Sequence, residues 1–142
     1  MENSKSDFFV DELLDQMGNM SGLNVIFRAQ SDSAKVGFDF TDIDLVRNKV
    51  IEEVREMLEA FDNRKDDLMH FREELGDCFF ALINLCRHIG ADPESLAREN
   101  AVKYLARCKY IEDHLREAGK YWRDLTLDEM YALWKQAKQS GL

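Results

Sequence analysis

Only one proline and seven glycines interrupt the 142 residues, too few breakers for the many turns that a β-sandwich or barrel requires. Cysteine is also scarce. Its three copies, an odd number with no CxxC pair and no histidine at finger spacing, exclude a disulfide framework and a zinc-finger site. Such thiols suit a reducing compartment. No stretch approaches the ~18 uninterrupted apolar residues of a membrane span, and acids are mixed into the apolar residues of the opening MENSKSDFFVDELL. Basic residues are outnumbered, 19 against 28 acidic, so the formal net charge of −9 would repel a phosphate backbone. Together these shortages predict a soluble, cytoplasmic protein that neither crosses a membrane nor docks on nucleic acid through charge.

What is present favours helix. The chain is 45% hydrophobic and 33% charged, which excludes disorder and collagen-like structure, and its length suits one domain rather than a cofactor domain plus a catalytic one. Five helical stretches follow from periodicity and punctuation: Phe8 to Met17, stopping at Gly18; a second with Ser21 as N-cap, fading at Val36 and Gly37; and a third after Thr41 or Asp42. The third carries Val46, Val50, Val54, Met57 and Phe61 at steps of three and four and ends at the polar break 62–65. The fourth, about Asp67 to Ile89, holds CFFALINLC, in which only Asn84 is polar. The fifth takes Asp92 as N-cap and Pro93 as its first residue and runs to Gly119. A last helix follows the capping box Thr126 to Glu129. No repeat or linker divides the chain.

The third and fourth helices each carry a carboxylate pair at i, i+3, Glu53 with Glu56 and Glu74 with Asp77. In an antiparallel hairpin centred near Lys65, Glu53 stands level with Asp77 and Glu56 with Glu74, and each residue of slip would displace the pairs by about 1.5 Å. These acids form either a solvated helix face or a site. If they converge beside an apolar helix, their repulsion and desolvation call for a hard cation, and an all-oxygen set favours magnesium, manganese or calcium.

From VGFDF (36–40) through EEVRE (52–56), EELGD (73–77), ALINLCRHIG (81–90) and LTLDEMYALWKQAK (125–138), the sequence resembles the MazG nucleoside triphosphate pyrophosphohydrolases, most closely the second of their two MazG repeats. Residues 36–142 are similar to the catalytic core, and 1–35, with LLD and FRAQ, resemble the preceding helices more weakly, so that 1–142 reads as a single MazG-like domain. The resemblance implies an all-α helical bundle, usually completed by dimerisation, that hydrolyses a nucleoside triphosphate to the monophosphate and pyrophosphate with magnesium, manganese being a substitute. It makes Glu53, Glu56, Glu74 and Asp77 the metal ligands and matches Lys49, Lys103, Arg107 and Trp134 to nucleotide contacts, with His70 on the substrate side. Glu52 or one of the ligands would take the proton of the attacking water. Lys103 and Arg107, four apart on the fifth helix, could together hold phosphate oxygens or simply be solvated cations; Trp134 could serve the core or stack on a base.

The chain departs from the family pattern at Ala101, where an asparagine is usual, and at Tyr104 to Cys108, where F-x-R-R-F is usual. Those departures motivate a rival reading, a non-catalytic helical nucleotide-binding or interaction module. The intact carboxylates argue for the enzyme. Phe79, Phe80, Leu82, Ile83 and Leu85 point in too many directions for one layer of helices to cover, which predicts a homodimer. A charge at Phe80 is then expected to disrupt both assembly and activity.

Overall fold

The structure, a computed structural model, describes residues 8–142; residues 1–7 of the segment expected to precede the core lie outside the described residues. It is all helix, with no strand among the described residues: α1 Val10–Gln16, α2 Gly22–Lys35, α3 Ile43–Asp62, α4 Leu68–His88, α5 Pro93–Glu117 and α6 Leu127–Gln139. Two compact units result, one ending at Glu94 and the other spanning Ser95–Leu142.

Capping side chains place the helix starts. Ser21 Oγ accepts from Asn24 N at 3.2 Å, Asp42 Oδ1 from Asp44 N at 2.7 Å and Asp67 Oδ1 from His70 N at 3.0 Å, each satisfying an amide that has no partner within its helix. Thr126 and Glu129 close the capping box of α6 reciprocally. α1 differs from expectation. Its entry residue Phe9 has no capping side chain, and the chain does not stop at Gly18 but tightens into a 3-10 turn over Met17–Asn19.

In the first unit α3 and α4 form the predicted antiparallel hairpin, and α2 packs on α4. The link between them is a tight turn in which Asp66 N and Asp67 N both donate to the Asn63 carbonyl at 3.0 Å. The rings of Phe61 and Phe71, 5.6 Å apart and near perpendicular, close the hairpin at its turn end. Val46 and Ala60 from α3 and Cys78, Ala81 and Ile83 from α4 are buried. Gly90, with φ +71°, ends α4; Ala91 N then reaches back to the Cys86 carbonyl at 2.9 Å, a closure that needs the left-handed backbone of glycine. Gly37, φ +91°, likewise turns the chain out of α2 into the segment leading to α3.

The second unit contains most of α5, a 3-10 turn over Trp122–Asp124 that the sequence pattern did not reveal, and α6. Ile111, Leu115 and Ala137 are buried. Trp122 Nε1 donates to Glu112 Oε1 at 3.2 Å and ties the turn back to α5.

Candidate functional site

Three of the four predicted ligands converge. Glu53, Glu56 and Glu74 each bring a carboxylate oxygen within 4.8 Å of the others, as the register of the hairpin requires. Asp77 is not in this group. Three residues beyond Glu74 it is turned by about 60° around α4 and raised by about 4.5 Å, and it lines the adjoining cavity together with Glu53.

Electrostatics at the cluster are unbalanced. Glu53, only 6% exposed, takes an ion pair from Lys49 Nζ at 2.6 Å, and the same ammonium reaches Glu52 Oε2 at 3.2 Å. The Lys49 ammonium is held charged beyond its ordinary range, first by the hydrogen bond to Glu53, against desolvation, with Glu52 adding to it. Lys49 thus neutralises one flank. On the other, desolvation and then the negative charges of Glu53, Glu52 and Glu74 push the Glu56 carboxyl above the usual range. Burial, helped by Glu53, Glu74 and Asp77, also pushes the Cys78 thiol up, so this cysteine is an inert core residue. Glu74 Oε1 lies 3.5 Å from His70 Nδ1, whereas its Oε2 is buried with no hydrogen-bond partner. An all-oxygen cluster with one orphaned buried oxygen has the donor chemistry of a hard divalent cation site.

Beside the carboxylates opens a cavity of about 340 Å³. Lys49, Glu53 and Asp77 bound it near the cluster, and Phe38, Phe40 and Phe80 supply apolar walls. It extends along α4 to Asn84 and Arg87, ten residues and about 15 Å beyond Asp77. The segment carrying Phe38 and Phe40 is pinned by Asp39: Arg87 Nη1 and Nη2 donate to its two oxygens at 3.0 and 2.5 Å, and His88 Nε2 stands 3.1 Å away. The Arg87 guanidinium, with His88 and the Phe40 amide assisting, holds the Asp39 carboxyl down to about 2 against the cost of burial.

In the second unit, Arg107 Cζ lies 5.2 Å over the Trp134 ring and Tyr104 packs on it at 5.3 Å between centroids. Trp134 therefore contacts its own unit on two sides. Arg107 Nε also donates to the Leu142 carbonyl at 2.9 Å, while Lys103 is exposed on α5.

The profile of the MazG nucleotide pyrophosphohydrolase domain matches residues 41–111, the stretch that contains the whole hairpin and every carboxylate of the cluster. The chain belongs to the MazG family. It is 34% identical over 116 residues to the Thermotoga maritima nucleoside triphosphate pyrophosphohydrolase/pyrophosphatase MazG, covering 82% of this chain and 44% of that protein. It is 31% identical over 115 residues to the nucleoside triphosphate pyrophosphohydrolase of Escherichia coli K12, 81% of this chain and 44% of the relative. Bacillus subtilis YabN is 34% identical over 71 residues, half of this chain and 14% of that protein. The chain thus spans less than half the length of these curated relatives.

Several cavity residues of this MazG domain were not assigned a role by sequence reasoning. Asn84 gave a signal, as the single polar residue in the apolar run of α4. Asp39 and Arg87 sit within stretches that resemble the family, but their pairing joins residues 48 apart and has no spacing signature. Gln30 and Asp39 precede the matched segment altogether.

Proposed function

We propose that the protein is a magnesium-dependent nucleoside triphosphate pyrophosphohydrolase, converting an NTP or dNTP and water to the monophosphate and pyrophosphate, with manganese as a substitute metal. The observation that carries this reading is the partnerless, buried Oε2 of Glu74 inside a three-carboxylate cluster that opens onto a cavity. Glu53, Glu56 and Glu74 would hold the cation, with Asp77 completing the set at the cavity side. When bound, magnesium supplies positive charge to the triphosphate and acidifies a water.

The remaining steps belong to the chain. The water oxygen bonds to the α-phosphorus as the bridging oxygen to the β-phosphorus departs with pyrophosphate. A carboxylate takes the water's proton; Glu52, half-exposed and in contact with Lys49, would accept it without giving up a ligand oxygen. Lys49, which lines the cavity, would be available to a phosphate oxygen, since Glu53 would be neutralised by the metal instead. Lys103, Arg107 and Trp134 are nucleotide-contact candidates on the strength of the resemblance.

A second copy of the chain is part of the proposal. Phe79, Phe80 and Leu82 of α4 are 54%, 48% and 47% exposed, and such an apolar surface suits a homodimer interface. No helix among the described residues is long and apolar enough to cross a membrane, and the three cysteines are unpaired, which fits a cytoplasmic setting. Incubation with nucleoside triphosphates and magnesium tests the reaction: monophosphate and pyrophosphate are expected. Binding without turnover would favour the non-catalytic module.

A further inference from the structure

Two amide side chains in the cavity are held in fixed orientations by their protein neighbours. Gln30, 5% exposed on α2, donates from Nε2 to the Phe80 carbonyl at 2.9 Å. Because that partner can only accept, the amide cannot flip, and Oε1 is left as an acceptor, buried with no partner. Asn84 is also buried. Its Oδ1 accepts from Arg87 Nε at 3.1 Å and Nη2 at 2.9 Å, and these cationic donors fix its orientation in turn, with Nδ2 as its donor end. The Phe80 carbonyl that anchors Gln30 points along α4 into the turn bearing Asn84, so Gln30 is anchored one helical turn before Asn84. Both residues line the cavity whose walls are Phe38, Phe40 and Phe80.

An orphaned acceptor and a preset donor lining one cavity with aromatic walls are complementary to a planar heterocycle that presents a donor beside an acceptor. The pairing edge of a nucleobase has that pattern. Asn84 lies seven residues, about 10 Å, beyond Asp77 along α4, which leaves room for sugar and phosphates between the base and the carboxylates. We propose that Gln30 Oε1 and Asn84 Nδ2 read the pairing edge of the substrate base, so that the enzyme selects nucleotides with an unblocked N–H donor there and rejects those alkylated at that position. This inference rests on the pyrophosphohydrolase reading. Gln30 and Asn84 would act on specificity, not on the bond that breaks.

Pyrophosphate release should be measured on the natural nucleoside triphosphates, on the best of them methylated at its pairing-edge N–H or amino group, and on inorganic tripolyphosphate, which has no base. The wild type is expected to discriminate against the methylated nucleotide by ~10- to 100-fold in kcat/KM, because a buried acceptor is then left unpaired. Gln30→Met should raise KM for the natural nucleotide, shrink that ratio towards one, and leave tripolyphosphate cleavage unchanged. Asn84→Asp keeps the acceptor for Arg87 but replaces the donor by a second acceptor, and should shift the preference among the four bases even if Gln30→Met folds poorly. Equal cleavage of natural and methylated nucleotides by the wild type would overturn this inference alone. So would variants that lose activity on tripolyphosphate and nucleotides alike. A wild type that cleaves no triphosphate would instead overturn the pyrophosphohydrolase reading.

Discussion

Glu56 stands where the first unit concentrates negative charge, and its carboxyl is raised by desolvation and by Glu53, Glu52 and Glu74. A divalent cation would relieve that repulsion, so magnesium or manganese should raise the melting temperature of the wild type through linkage. Glu56→Gln should weaken the metal-induced shift and reduce turnover by at least ~100-fold, a loss typical of removing one charged group from a preorganised site. Differential scanning fluorimetry with and without metal, alongside the activity assay, checks both; an unchanged metal response with normal turnover would remove Glu56 from the site. Asp39 makes a prediction of the opposite kind. Its folded pKa is about 2 against an ordinary value of 3.8, so its pairing with Arg87 stabilises the fold fully above pH ~4 and that contribution fades as the pH falls towards 2. Because Asp39 is an exposed residue, solvent screens the pair and its contribution is about 1 kcal/mol. In urea unfolding, Asp39→Asn should fall below the wild type by up to that amount at pH 6, with the gap closing near pH 2.

At the scale of elements, the helices were legible because each carries its own punctuation. Ser21 and Thr126 cap the helices they were expected to cap, Asp42 and Asp67 cap the helices expected to start near them, and the spacing of Glu53, Glu56 and Glu74 across a short turn was enough to place them together. Local patterns could not reveal the bond from Gln30 to the Phe80 carbonyl, which joins residues 50 apart, nor the Asp39 to Arg87 clamp, because each depends on how α2 and the segment after it settle on α4. Phe80 shows the same limit. It was expected to report on dimerisation, but it forms part of the cavity wall, so Phe80→Glu would perturb the site directly. Phe79, more exposed and outside that wall, is the cleaner probe of the outer face of α4. Phe79→Glu is expected to convert a dimer to monomer in light scattering at low micromolar concentration. A wild type that is monomeric and fully active would contradict the dimer proposal.

At the scale of the whole molecule, the carboxylate cluster and the cavity both belong to the first unit, whereas Lys103, Arg107 and Trp134 belong to the second. The chemistry proposed for the first unit is cleavage between the α- and β-phosphorus of a nucleotide, and the fate of the water oxygen reports on it directly. Hydrolysis of a nucleoside triphosphate with magnesium in ¹⁸O-labelled water, followed by mass spectrometry of the products, is the decisive measurement. Label in the nucleoside monophosphate, with unlabelled pyrophosphate, is the predicted result. Label in pyrophosphate would place the attack at the β-phosphorus, and labelled orthophosphate released with a nucleoside diphosphate would place it at the γ-phosphorus; either would contradict the account.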